Sequence, residues 1–97
     1  MKFIIKGPFR ENVYMLMRRL GYHFQKENKE KGELIFTRPA KGFPRFHLFI
    51  KQEGNNFTFN LHLDQKRPLY KGTPAHAGEY NSKVIEEEVE RIKNFLK

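Results

Sequence analysis

Two stretches of alternating apolar and polar residues, joined by a short turn sequence, limit the fold of this chain more than any other feature. RFHLFIKQ (45–52) and FTFNLHLD (57–64) lie on either side of EGNN (53–56). Alternation with a period of two is typical of strands that bury one face, and Gly-containing connections of this length are typical of hairpins. The sequence therefore predicts an antiparallel hairpin with one apolar side and one polar side.

The apolar sides of these two strands match in a simple register. If the hairpin closes at residues 53–56, apolar residues face each other throughout, which is the arrangement that a one-residue slip would destroy. The same register places His47 opposite His62 on the polar side, with Asp64 two residues further along. Side chains that face each other directly have Cβ atoms about 4.5–5.5 Å apart. The apolar pairs are Phe46 with Leu63, Leu48 with Leu61 and Ile50 with Phe59.

Two other segments have the spacing of amphipathic helices. Pro8 suits the first helical position of one of them, and Gly21 suits the position after its last turn. Ser82 can cap the second helix, in which acidic residues come early and Lys93 comes late. The apolar positions are Phe9, Val13, Leu16, Met17 and Leu20 in the first segment, and Ile85, Val89, Ile92 and Leu96 in the second.

Shorter apolar runs predict the remaining strands. KFIIK (2–6) is one strand, and YHFQKE (22–27) with ELIFTR (33–38) forms a hairpin around NKEKG. The element order is βαββββα over a single domain, residues 1–97. We expect an α+β fold in which an antiparallel sheet of about four to five strands has two helices on one face.

The charge of the chain is strongly basic. Its formal net charge is +8, from 19 Lys and Arg against 11 Asp and Glu, and the basic excess lies before residue 79. Such surfaces attract nucleic acid, anionic lipid or acidic proteins. The sequence has no Cys, which excludes disulfides and thiolate zinc sites, and it has neither a long apolar stretch nor a signal-peptide pattern. We expect a cytoplasmic protein that does not enter membranes, is monomeric or weakly dimeric, and needs no cofactor.

The paired histidines have three interpretations. They can be structural groups on a half-exposed sheet face. They can bind a ligand or nucleic acid, with Phe49 as a stacking surface and the imidazoles and Asn60 as hydrogen-bonding groups. They can also form a catalytic or metal site with Asp64, joined by His76 from the following loop, because imidazole ligates metals and titrates near neutral pH.

Two irregular segments supply candidate phosphate contacts. The connection over residues 65–81 is longer than most loops of compact domains, and such loops are usually functional or disordered. The alternative is that residues 65–81 form a packed crossover whose basic side chains are only solvated. The turn PAKGFP (39–44) is a second interruption of the strand pattern. The candidates are Lys66, Arg67 and Lys71 in the connection, and Arg38, Lys41 and Arg45 around the turn.

From LMRRLGYHF (16–24) to ELIFTRP (33–39), the chain resembles the small HicA-type toxins, which have a double-stranded-RNA-binding-domain-like fold. These are basic RNA-cleaving proteins in which a helix ending in Leu-Gly leads into an antiparallel sheet and a closing helix. Their catalytic histidine lies in a Gly-Ser-His-type motif at the start of the second sheet strand. The matching stretch here is Lys31-Gly32-Glu33-Leu34, without His. The resemblance implies the fold and favours contact with nucleic acid, but without the histidine it argues against that particular cleavage chemistry.

These observations predict a nucleic-acid-binding protein, with RNA ahead of DNA. A hydrolase, most plausibly a nuclease that uses His47, His62 and Asp64, is the first alternative, so the sequence leaves open whether the protein is an enzyme. A protein–protein interaction module that presents a sheet edge is the second alternative.

Overall fold

The computed structural model describes residues 1–65 and 82–97 and confirms the predicted α+β fold and element order. The described strands form one five-stranded antiparallel sheet with the order β1-β5-β4-β3-β2. No helix within these ranges is long and apolar enough to cross a membrane. The elements are β1 (Lys2–Ile5), α1 (Val13–Arg19), β2 (His23–Asn28), β3 (Glu33–Arg38), β4 (Arg45–Glu53), β5 (Asn56–Asp64) and α2 (Ser82–Leu96).

The hairpin of β4 and β5 has the predicted register. Phe46 pairs with Leu63 and His47 with His62, and the pairing continues to Glu53 and Asn56 at the turn. Gly54 in that turn has a φ of +61°, in the left-handed region that favours glycine. Every apolar pair therefore lies on one side of the hairpin, as the alternation indicated.

Both helices pack on one face of the sheet, which we call the helix-covered face. Each helix presents its apolar stripe to the alternating apolar residues of β3, β4 and β5, so one continuous core forms between them. The buried helix residues are Val13, Leu16, Met17, Leu20, Ile85, Val89, Ile92 and Leu96, and the buried sheet residues are Phe36, Leu48, Ile50, Phe57, Phe59, Leu61 and Leu63. The prediction that the two helices share a face is confirmed.

The first helix begins later than the sequence predicted. It starts at Val13 rather than near Phe9, because Asn12 is its N-cap: the Asn12 backbone is extended, and its side-chain oxygen accepts a hydrogen bond of 2.9 Å from the Met15 amide. Phe9 is still partly buried, since its ring stacks on Phe57 with a centroid distance of 4.1 Å. Its apolar character thus reflects packing of an extended segment.

The end of this helix agrees with the prediction. Leu20 is the C-cap, and Gly21 follows with a φ of +92°. Arg18 and Arg19 occupy the last turn, where cations complement the helix dipole. The predicted stop signal was therefore correct although the predicted start was not.

The opposite side of the sheet carries no described helix or strand, and we call it the open face. Residues near its centre are nevertheless shielded: Thr37 is 1% exposed, and Gln25, at a bulge in β2, donates a hydrogen bond of 2.7 Å to the Thr37 hydroxyl. The strand pairing places on this face Lys2, Ile4, His23, Lys26, Asn28, Glu33, Ile35, Thr37, Arg45, His47, Phe49, Lys51, Glu53, Asn56, Thr58, Asn60, His62 and Asp64.

Candidate functional site

A cluster of three rings lies at the centre of the open face. His47 and His62 face each other across β4 and β5, and Phe49 is the next residue of β4 on the same side. The Phe49 centroid is 4.6 Å from that of His47, with an interplanar angle of 33°, and 5.7 Å from that of His62, with an angle of 88°. All three side chains are partly exposed. The predicted pairing therefore produces an imidazole–Phe–imidazole cluster that a ligand can reach.

Asp64 orients one imidazole of this cluster. Its Oδ2 lies 3.3 Å from Nδ1 of His47 and accepts a hydrogen bond of 3.3 Å from Nε of Arg45. The Arg45 guanidinium also lies 4.6 Å above the Phe43 ring. A proton on Nδ1 of His47 is held towards the carboxylate, so Nε2 is the nitrogen available to a ligand.

The environment of His47 favours its neutral form. Burial lowers the pKa of this imidazole; the negative charge of Asp64 opposes the shift, while the positive charge of Arg45 and the neighbouring His62 add to it. A neutral imidazole can both donate and accept hydrogen bonds. His47 can thus act as a recognition group or as a base at neutral pH.

The metal-site hypothesis gains no support from the described part of the chain. Within residues 1–65 and 82–97, no group of three or more His, Asp or Glu side chains is arranged to hold a metal ion. His47, His62 and Asp64 lie near one another but do not form such a group by themselves. His76, the proposed further ligand, lies outside the described residues.

The predicted phosphate contacts within the described residues do not all lie on one side of the sheet. Arg38 lies on the helix-covered face, whereas Arg45 lies on the open face and is paired with Asp64. Lys41 is exposed in the turn between β3 and β4. Lys66, Arg67 and Lys71 lie outside the described residues. Arg38 and Arg45, which flank the 39–44 turn, therefore lie on opposite sides of the sheet.

Sequence reasoning missed the buried charge that holds Arg38. Glu88 of α2 is 4% exposed and accepts hydrogen bonds from the Tyr22 hydroxyl at 2.6 Å, from Arg38 at 3.0 Å and from Arg91 at 2.8 Å. Arg91 also donates to the Leu20 carbonyl at 2.7 Å. The periodicity of α2 gave one signal, since Glu88 lies beside Val89 on the edge of the apolar stripe.

The ionisation of Glu88 and Tyr22 follows from these contacts. Burial alone would raise the pKa of Glu88, but the hydrogen bonds from Arg91, Tyr22 and Arg38 outweigh it and lower the pKa below its usual value. Burial, together with the adjacent carboxylate, raises the pKa of Tyr22 well above its usual value. Glu88 is therefore ionised and Tyr22 neutral at neutral pH. We interpret the network as a structural link between α2 and the sheet.

A shallow depression borders Phe49 on the open face. Its volume is about 170 Å³, and the side chains around it include Asn60, Lys2 and Lys51. Neither lysine was among the predicted phosphate contacts. The alternation of KFIIK could have indicated Lys2, because it places Lys2 on the polar side of its strand, but only the pairing of β1 with β5 brings Lys2 opposite Asn60.

A larger cavity of about 420 Å³ lies beside the turn between β3 and β4. Its lining is mainly apolar, from Pro39, Pro44 and Phe46 among others. The two arginines at its edge are Arg38 and Arg45, which are paired with Glu88 and Asp64 respectively. Because both guanidinium groups already have anionic partners, the cavity is a weak candidate for phosphate binding.

Comparisons of this chain with models of protein families, with curated proteins and with solved structures find no match. The resemblance to HicA-type toxins therefore stays an expectation from sequence. Function has to be inferred from the geometry and charge of the sheet.

Proposed function

We propose that this protein binds single-stranded RNA on the open face of its sheet. The observation that carries the proposal is the contact of the Phe49 ring with both His47 and His62, on a face that no described helix covers. Aromatic side chains on an exposed sheet stack on unpaired bases, and the neighbouring polar groups hydrogen-bond to base edges. The cluster offers both kinds of contact in adjacent positions.

The distribution of charge favours the same face. The open face carries Lys2, Lys26, Arg45 and Lys51 against Glu33, Glu53 and Asp64, whereas α2, on the other side of the sheet, carries four acidic and three basic residues. A phosphate backbone is attracted to basic surfaces and repelled by acidic ones. This small difference in charge favours approach of a nucleic acid to the open face over approach to α2.

Single-stranded RNA fits this surface better than a duplex. The open face is the side of a sheet, and it presents ring surfaces rather than an element that could enter a groove. In A-form RNA the major groove is too deep and narrow for side chains to read, whereas unpaired bases can spread over a sheet. We therefore expect weaker binding of double-stranded RNA than of a single strand of the same length.

The proposal is tested by fluorescence anisotropy with a labelled single-stranded RNA of about ten nucleotides, within the range that one such surface covers. Phe49→Ala should weaken binding roughly 5- to 150-fold, because stacking contributes about 1–3 kcal/mol per base. Phe95→Ala is the matched control, since Phe95 is 43% exposed on α2. Equal affinities of the Phe49 variant and the wild type would contradict the proposal.

Salt dependence supplies a second readout of the same experiment. The logarithm of the binding constant should fall linearly with the logarithm of salt concentration, with a slope of about −0.7 for each phosphate neutralised on a single strand. Binding that does not change between about 50 and 200 mM salt would show that phosphates are not contacted.

Ribonuclease activity is the second candidate, and the contact between His47 and Asp64 favours it. A carboxylate 3.3 Å from Nδ1 orients the imidazole as a base, and His62 on the facing strand could protonate the leaving group. RNA recovered from the binding mixture should then be shortened, and His62→Ala should abolish the cleavage without unfolding the protein. Recovery of intact RNA with wild-type protein over prolonged incubation would eliminate this activity and leave the binding proposal in place.

A further inference from the structure

The open face is divided at Phe49 into two chemically different halves. His47 and His62 lie on the side of Phe49 towards the start of β4. The depression of about 170 Å³ lies at Phe49 and on the side towards the turn between β4 and β5. Besides Phe49, the residues that line this depression include Lys2, Glu33, Lys51, Glu53, Thr58 and Asn60.

The charges around this depression balance. Lys2 and Lys51 are matched by Glu33 and Glu53, and the Thr58 hydroxyl donates a hydrogen bond of 3.4 Å to Glu53. A phosphate bound there would meet two carboxylates as well as two ammonium groups. A neutral ring with polar edges meets no such repulsion, so the depression suits a base rather than the backbone of a nucleic acid.

Asn60 is placed to read such a base. It is paired with Lys2 of β1 on one side and with Phe49 of β4 on the other, so its Cβ lies about 4.5–5.5 Å from that of Phe49. Its side chain makes no hydrogen bond within the described part of the chain. One free amide therefore stands beside the aromatic ring, with a donor and an acceptor both available.

We infer that this depression is an adenine-preferring subsite for single-stranded RNA, in which the base stacks on Phe49 and the Asn60 amide pairs with its N6 and N7 atoms. An asparagine amide matches adenine, which presents the N6 amino donor beside the N7 acceptor, whereas guanine presents two acceptors on that edge and uracil has no N7. Glu33 is a further acceptor at the rim for an exocyclic amino group. This inference rests on the proposed RNA binding and specifies one of its contacts.

The test compares labelled oligo(A), oligo(U) and an oligomer of 7-deazaadenine, each of about ten nucleotides, by fluorescence anisotropy. Wild-type protein should bind oligo(A) roughly 5- to 150-fold more tightly than oligo(U), the range of one bidentate base contact. Because purines also stack better than pyrimidines, the 7-deazaadenine oligomer is essential: it keeps the ring system and lacks N7, and it should lose most of the preference.

Asn60→Ala provides the second arm of the experiment. It should weaken the binding of oligo(A) more than that of oligo(U) and so lose most of the wild-type preference for oligo(A). Asn94→Ala, an exposed asparagine on α2, is the matched control and should behave as wild type. Circular dichroism checks that both variants are folded.

The outcomes separate this inference from the function on which it rests. If neither oligomer binds, RNA binding itself is wrong. If both bind equally to wild-type protein, or if Asn60→Ala weakens both to the same extent, RNA binding stands and the adenine subsite is wrong. Equal binding of the adenine and 7-deazaadenine oligomers would likewise overturn the role of Asn60.

Discussion

The two faces of the sheet use the same kinds of residue for different purposes. Phe59 on the helix-covered face is fully buried and stacks on Phe3 with a centroid distance of 4.8 Å. Phe49, on the adjacent strand and the open face, is partly exposed and contacts two imidazoles. A phenylalanine therefore stabilises the fold on the helix-covered face, whereas on the open face it stays accessible. Residue type alone therefore does not indicate a functional site; the face of the sheet on which the residue lies does.

The carboxylates on the two faces differ in the same way. Glu88, behind the helix-covered face, is almost fully buried and binds Arg38, Arg91 and Tyr22. Asp64, on the open face, is about a quarter exposed and shares one oxygen between Arg45 and His47. A buried and fully partnered charge fixes structure, whereas a partly exposed one can still adjust the groups around it.

The largest expected difference between the faces is in stability. Phe59→Ala should lower the free energy of unfolding by about 3–5 kcal/mol, because it leaves a cavity in the core. Phe49→Ala should lower it by only about 1 kcal/mol, the value typical of less buried sites. Urea denaturation of the two variants measures the difference directly. Equal losses would mean that the open face is a second core and would remove the basis of the binding proposal.

The buried carboxylate should produce a smaller and pH-dependent effect. Glu88→Gln should cost about 3 kcal/mol at pH 7, near the low end for buried ion pairs because both arginines are partly exposed. Since the pKa of Glu88 is lowered on folding, its contribution is present above the unfolded-state value of about 4.3 and is lost as pH falls below it.

The deficit of the Glu88 variant should therefore shrink between about pH 5 and pH 3. Denaturant midpoints measured across this range test the expectation. Glu87→Gln is the control, because Glu87 is exposed on the same helix and should show no deficit at either pH. A deficit that stays constant across this range would show that the Glu88 charge does not contribute to stability.

The smallest expected effect concerns the open-face carboxylate. Asp64→Asn removes the negative charge that opposes the lowering of the His47 pKa, while the repulsion from Arg45 remains. The pKa of His47 should therefore fall further, with little change in stability. Titration of the imidazole proton resonances by NMR measures it. An unchanged or raised pKa would show that Asp64 does not control this imidazole.

The hairpin of β4 and β5 was predictable from sequence because its apolar and polar side chains alternate with a period of two. A shift of one residue between β4 and β5 would have buried His47 and exposed Leu48, so the pattern fixed the register before any contact was known. The apolar stripe of α2 was equally informative. In the hairpin, burial of every second residue allows only one register between the strands. In α2, burial of every third and fourth residue allows only one face of the helix to pack on the sheet.

Features that depend on long-range contacts were not predictable in the same way. The start of α1 depends on Asn12, whereas the apolar spacing suggested Phe9, because extended and helical segments can both bury a phenylalanine. The sequence of α2 alone suggests that Glu88 is solvated, because its partners Tyr22 and Arg38 are far away in sequence. Of the candidate site, the His47–His62 pair was predicted, but the contribution of Lys2 was not.

The position of β1 has a kinetic consequence. Strands β2 to β5 follow one another in sequence and in the sheet, whereas β1 pairs with β5 across more than fifty residues, as in the hydrogen bond of 2.8 Å between the Leu61 amide and the Met1 carbonyl. Closing so long a loop costs more entropy than forming a hairpin, so we expect β1 to dock last during folding. Substitutions in β1 should then raise the unfolding rate more than they lower the folding rate. The depression at Phe49 would gain its Lys2 side only in that final step.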